Sequence, residues 1–169
     1  MNCIEELIII YMKILQIIPN TVVDGPHLRT SIYISGCKHN CKGCHNPQSH
    51  DFNAGTEITI QNLIDKILSL NCNYITLSGG DPLYSATECC ELCKKLKELN
   101  PNFNIWVYTG FEFEYVKHFE IMKYIDVLCD GPFMERLKDT SLPFRGSSNQ
   151  RLIDVPASLK SGKIILFNN

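Results

Sequence analysis

Strand-like and helix-like segments alternate along residues 29–132, and nothing else in the sequence limits the fold so tightly. RTSIYIS (29–35), NYITLSGG (73–80), NIWVYTG (104–110) and IDVLCDGP (125–132) are short runs rich in β-branched and aromatic residues, and three of them close on glycine. Between them, TIQNLIDKILSLN (59–71) carries Ile60, Leu63, Ile64, Ile67 and Leu68 at helical spacing. SATECCELCKKLKELN (85–100) reads as a second helix, with Ser85 as N-cap, Glu88 three residues on and Pro101 past its end. EFEYVKHFEIMKY (112–124) is a weaker helix. RLIDV (151–155) and GKIILFN (162–168) are late strands, with a turn of helix at 156–160 between them and a loop rich in Ser, Gly and Asn at 139–150 before them.

Such alternation predicts an α/β fold with a mostly parallel sheet and crossover helices. A complete eightfold barrel takes about 250 residues, with a floor of roughly 200. The chain has 169. The expectation is therefore an incomplete, partial TIM-type barrel: a curved wall of about five or six strands. Ligands of such sheets sit at the carboxyl ends of the strands. The loop after residue 35, Gly79-Gly80, Thr109-Gly110 and Asp130-Gly131 all fall there. No linker or repeat divides the chain. Residues 12–169 read as one domain and residues 1–11 as a dispensable N-terminal extension, with Met12 as a second start.

The apolar fraction of 44% is that of a globular protein, and the formal charge of −2 implies no basic face for nucleic acid. The N-terminal apolar run begins with Glu5 and Glu6 and is interrupted by Lys13 and Gln16, which fits neither a secretory signal nor a membrane span. Nine cysteines, an odd number, then point to a reducing cytoplasm with free or metal-bound thiols.

Cys37, Cys41 and Cys44 fall within eight positions. Gly36, Asn40, Gly43 and Pro47 disfavour a helix there, so the thiols belong to a loop that curls around a metal centre. Structural zinc wants four ligands, and His39, His45 or His50 is available as the fourth. An electron-transfer [4Fe–4S] cluster also takes four, usually all cysteine. Three cysteines leave one position open for a bound molecule. Cys89, Cys90 and Cys93 are different: Cys89 and Cys93 share a helix stripe with Leu92, Leu96 and Leu99, which reads as core. Cys3, Cys72 and Cys129 read as ordinary packing or surface residues, His39 and His50 as polar loop residues, Asp24 as a turn cap, and Lys94, Lys95 and Lys97 as a solvated face.

Cys37-x₃-Cys41-x₂-Cys44 resembles the signature of radical S-adenosylmethionine enzymes, and SGGDPL (78–83) resembles that superfamily's glycine-rich segment. VDGPHLRTSIYISGCKHNCKGCHNP, LSGGDPL, VYTG, VLCDGPF and FRGSSNQRLIDV, in this order, are similar to the activating proteins of anaerobic ribonucleoside-triphosphate reductase. The resemblance spans roughly residues 12–160. It implies that the three cysteines ligate one [4Fe–4S] cluster whose fourth iron chelates S-adenosyl-L-methionine. Reductive cleavage then gives a 5′-deoxyadenosyl radical, which takes a hydrogen from one glycine of the reductase large subunit. No side-chain acid or base is needed. Gly79 and Gly80 are expected at the methionine end, where a Cβ would block close approach, and Asp130 at the ribose hydroxyls, with Thr109 a weaker candidate.

Gly43 stands where the wider superfamily often places an aromatic residue, so adenine falls to His45 or to the backbone of Gly43, Cys44 and His45. His27 stands where relatives have glycine and is expected to keep a left-handed turn. Asp81 follows the narrower family. Arg145 and Arg151, beside Asn149 and Gln150, read as a docking or site-closing element. A flavodoxin or ferredoxin is the expected electron donor. The rival readings are an activase of pyruvate formate-lyase, whose known examples are longer, and a non-catalytic zinc module.

Overall fold

The computed structural model describes residues 9–168. In chain order its elements are β1 (Tyr11–Thr21), β2 (Arg29–Ile34), β3 (Thr56–Thr59), α1 (Ile60–Ser69), β4 (Tyr74–Gly79), α2 (Ala86–Leu99), β5 (Asn104–Tyr108), α3 (Phe113–Val116), β6 (Val127–Asp130), β7 (Arg151–Asp154) and α4 (Val155–Ser161). The strands form one sheet in the order β3-β1-β2-β4-β5-β6-β7. β2, β4, β5 and β6 are parallel. β1, β3 and β7 pair antiparallel on the flanks.

The sheet has seven strands, not five or six. β1 and β3 are the additions. Lys13 and Gln16 made residues 11–21 look interrupted, but in a strand they fall between the buried Met12 and Ile14 and beyond them. The chain joins the sheet from Ile10, whose carbonyl accepts the Ile60 N–H at 3.0 Å. Residues 1–8, which include Cys3 and most of the expected extension, lie outside the described residues.

Alternation gives the sheet two distinct faces. One carries Ile32, Ile34, Ile75, Leu77, Ile105, Val107 and Leu128, and packs on Leu63, Ile64 and Ile67 of α1 and on Leu92 and Leu96 of α2. Each such side chain contributes about 1.5–3 kcal/mol by leaving water. The other face carries Tyr33, Ser78, Trp106 and Tyr108. Phe144 and Phe167 cover Trp106 there, both edge-on to its ring.

Several local expectations change. Leu68 and Leu99 point outward, 42% and 59% exposed, so the helix stripes are narrower than read. Ser85 makes no capping bond. Asp81 instead accepts the Leu83 N–H at 2.9 Å and opens a 3₁₀ turn, Pro82–Ser85, that runs into α2. Residues 112–124 break into the single turn of α3 and a 3₁₀ turn at Glu120–Lys123. Residues 162–168 are not a strand: after Gly162 ends α4 in the left-handed conformation, the tail meets β7 through one bridge, Leu166 to Ile153. Lys97 leaves the solvated face to bind Asp126 at 2.9 Å and the Phe103 carbonyl at 2.6 Å.

Candidate active site

A cleft of about 560 Å³ opens on the polar-aromatic face, at the carboxyl ends of the parallel strands. Six segments supply its walls. They are the β1–β2 connection at Val23 and Asp24, β2 with the loop after it, the ends of β4 and β5, the turn after β6, and the loop that precedes β7. Cys37, Cys41, Cys44 and His45 line it with Gly79 and Gly80. Residues expected together from the sequence are therefore brought together.

The cysteine loop is not helical. Asn40 and Gly43 take left-handed backbone, at φ +49° and +74°. The loop is pinched at its base: the Gly36 N–H donates to the Ser49 carbonyl at 2.8 Å and the Cys37 N–H to that of His50 at 3.2 Å. Within it, the Cys44 N–H donates to the Cys41 carbonyl at 3.1 Å. All three thiols are free and half-buried. Burial, foremost, pushes the Cys37 and Cys41 thiols up, and backbone N–H donors from His39 and Phe133 respectively offset part of that. A bound cation reverses this balance, because it favours the thiolate.

Gly79 and Gly80 border the cleft, but the reason for glycine differs from the one expected. A Cβ on Gly79 (φ +106°) would strike the Ile34 backbone, and one on Gly80 would strike Gly36 and come within 2.8 Å of the Ser49 carbonyl. The chain's own backbone, not a ligand, claims that space. The buried Ser49 hydroxyl closes the junction, its one hydrogen within reach of the carbonyls of both Asn46 (2.6 Å) and Gly79 (2.9 Å).

Sequence reasoning missed the carboxylate that ties these pieces together. Asp81 is 1% exposed. Its Oδ2 accepts from the Thr109 hydroxyl and the Gly110 N–H, both at 2.9 Å, and meets His39 Nε2 at 2.6 Å. One buried side chain thus joins the cysteine loop to the ends of β4 and β5. His39 is accordingly no free loop residue. It packs edge-on to Phe111 with ring centroids 4.6 Å apart, and a Cβ on Gly110 would overlap it. The clue in the sequence was a histidine between two of the cysteines and an aspartate after the glycine pair.

Other expected residues have other occupations. Asp130 does not line the cleft. Its carboxylate is buried and accepts from Arg151 Nε (3.0 Å), Arg151 Nη2 and the Phe113 N–H (2.8 Å), facing away from the cleft where a ribose would sit. Gly43 faces Glu135, whose Oε1 lies 3.0 Å from where a Cβ would stand. His45 lies in the cleft wall against Phe133, centroids 4.8 Å apart. Asp24 accepts the Tyr33 hydroxyl at 2.6 Å rather than capping a turn. His27 does adopt the left-handed turn, at φ +64°.

Three soft sulfurs line an open volume that glycine also borders; among the described residues no three side chains are gathered to hold a single metal ion, and sulfur donors beside open space suit an iron–sulfur centre. The 4Fe-4S single cluster domain family matches residues 23–153. An anaerobic ribonucleoside-triphosphate reductase-activating protein of Enterobacteria phage T4 is 37% identical over 81% of this chain and 90% of its own length. Its namesake in Haemophilus influenzae is 36% identical over 82% and 96%, and that of Escherichia coli 35% over 80% and 94%. The chain therefore belongs to the 4Fe-4S single cluster domain family and, within it, to the anaerobic ribonucleoside-triphosphate reductase-activating proteins. This decides between zinc and iron–sulfur in favour of iron–sulfur. Among solved structures, QueE from Escherichia coli matches with a TM-score of 0.46 and 14% identity, over 59% of this chain and 52% of that one. Among the described residues no helix is long and apolar enough to cross a membrane.

Proposed function

We propose that this chain is an enzyme that activates an anaerobic ribonucleoside-triphosphate reductase, by generating a glycyl radical on it. The observation that carries the reading is the opening of Cys37, Cys41 and Cys44 onto the same cleft as the Gly79–Gly80 turn. The three thiolates would hold one [4Fe–4S] cluster. Bound there with S-adenosyl-L-methionine, the cluster supplies one-electron cleavage of the sulfonium and, through it, removal of a hydrogen atom from a glycine Cα.

The chain's own work is placement. Asp81 and Ser49 fix the cysteine loop against the strand ends before any ligand enters, so little ordering is left for binding. Gly79 and Gly80 let the strand end pack directly on the backbone of Ile34 and Gly36, which seats the cysteine loop beside it. His45 with Phe133 offers an aromatic wall for adenine, and the backbone of Gly43–His45 offers polar groups beside it. Asp130 acts at one remove, by holding Arg151. The sheet serves as an incomplete barrel wall whose open side admits a loop of the reductase. The half-buried thiols keep that side reachable. A low-potential flavodoxin or ferredoxin supplies the electron, in the cytoplasm.

The test is anaerobic. Cluster-loaded protein, a reductant, S-adenosylmethionine and the reductase are mixed and followed by electron spin resonance. A glycyl radical signal on the reductase is expected, with about four irons per chain in the activase. Absence of that signal from protein that does bind S-adenosylmethionine would sink the proposal.

A further inference from the structure

The chain has four arginines, and they are treated very differently. Arg29 is fully buried and satisfied, donating to Pro26, Ile75, Thr76 and Asn104. Arg151 pairs with Asp130 and Glu114. Arg136 stands exposed. Arg145 lines the cleft, its Nε is buried without a partner, and it makes no ion pair among the described residues. No other arginine and no lysine lines that cleft. A buried N–H donor left unpaired is costly, so its retention on a cationic side chain at the cleft wall calls for an occupant.

The loop holds the guanidinium there. On one side the Phe144 carbonyl accepts the Tyr108 hydroxyl at 2.7 Å. Phe144 itself sits at φ +57°, a conformation that is costly for an aromatic residue and survives only where its surroundings impose it. On the other side Gln150 Oε1 accepts the N–H groups of Gly146 and Ser147, at 3.0 and 3.2 Å, while its Nε2 donates to the Gly131 carbonyl at 3.1 Å. The backbone around Arg145 is bolted to β5 and to the turn after β6, and the side chain is left free.

We propose that Arg145 is the anion-binding residue of the cleft and that its ligand is the carboxylate of S-adenosylmethionine. This rests on the function proposed above. At neutral pH that molecule carries a sulfonium, an ammonium and one carboxylate, and only the last suits a guanidinium, whose planar fork matches it in a two-bond pair. Gly146 continues the same wall: a Cβ there would lie 3.1 Å from Phe133 and 3.2 Å from His45. Arg145 thus borders the aromatic wall assigned to adenine, and the segment would bind both ends of one ligand.

The experiment is a binding titration of S-adenosylmethionine and its methyl ester to the cluster-loaded protein, wild type against Arg145→Gln and Arg145→Lys. Iron content and thermal midpoint serve as controls. Arg145→Gln should raise the Kd for S-adenosylmethionine about ten- to a hundredfold at unchanged iron content, with Arg145→Lys in between. The ester should lose less affinity in Arg145→Gln than in wild type, because one partner of its missing charge is already gone. An unchanged Kd, or the same ester penalty in both proteins, overturns the assignment. An unchanged Kd with weakened binding of the reductase overturns it too, by giving the anion to the partner protein. If wild type fails to bind S-adenosylmethionine, the reading of the cleft itself falls, and this assignment with it.

Discussion

Two stretches of this chain each pack three cysteines into a few positions, and they have opposite fates. Cys37, Cys41 and Cys44 sit on a loop, half-buried, on the wall of the cleft. Cys89, Cys90 and Cys93 sit on α2, where Cys89 and Cys93 are fully buried among Leu92, Leu96 and the apolar face of the sheet. Burial pushes the Cys37 and Cys41 thiols up, and those of Cys89 and Cys93 far more. Sulfur count does not separate them. Backbone does: glycine, asparagine and proline in the first stretch force thiols off a common face and toward solvent, while the second keeps helical spacing and turns its sulfurs inward.

The largest test of this contrast exchanges one sulfur. Cys41→Ser should lower iron from about four per chain to below one and cut glycyl radical formation at least a thousandfold, because a serine oxygen is a poor ligand for this soft metal centre. Iron assay and electron spin resonance read it. The thermal midpoint of the metal-free protein should hardly move. Retained iron would mean that the loop is not the cluster's seat.

Next comes the support under the first group. Asp81→Ala strands the Leu83 and Gly110 N–H groups and the Thr109 hydroxyl, and frees His39. Unpaired buried donors cost about 1–3 kcal/mol each, so a loss of roughly 3 kcal/mol or more is expected, read by urea unfolding of the metal-free protein. Chelators should also strip iron faster from the loaded variant. Stability within 1 kcal/mol of wild type, which is about a tenth of an ordinary domain's total, would show that Asp81 is not the clasp described here.

The contrast also marks how far the sequence could be read. Repeating periods carried the four parallel strands, α1 and α2, and the convergence of glycines and cysteines at strand ends. β1 is hard to read because Lys13 and Gln16 break the apolar run that a membrane span would need, and the alternation of Lys13 with Met12 and Ile14 that marks a half-buried strand is short. Asp130 was misread because a strand-end carboxylate looks alike whether it faces a ligand or an arginine from 21 positions away. The Asp81–His39 pair spans 42 positions, and no local pattern announces such a contact. Distant pairings of polar side chains are the part of a site that spacing hides.

A milder substitution probes the second group. Cys93→Ser replaces a well-packed sulfur, 0% exposed, with a hydroxyl that has to find a partner inside the core. A destabilisation of about 1–3 kcal/mol is expected, with iron content and radical yield unchanged in protein that folds. Loss of iron at wild-type stability would reverse the assignment of the two groups, and a second cluster on α2 would double the iron of the wild type.

The smallest effect is a slope with pH. Cys89, Cys93 and Cys129 are buried, and burial holds their thiols protonated well above the ordinary 9.0. In the unfolded chain they ionise near that ordinary value. Above it the unfolded state therefore binds fewer protons than the folded state, and stability falls as pH rises. One unit above, each such thiol costs about 1.4 kcal/mol. Urea unfolding of the metal-free protein at pH 8, 9 and 10 should show the decline, and Cys93→Ser should lose about 1.4 kcal/mol less than wild type over that range, because one of the titrating sulfurs is gone. Equal slopes in wild type and Cys93→Ser would mean that the α2 thiols are wet in solution, and the distinction between the two groups would lose its physical basis.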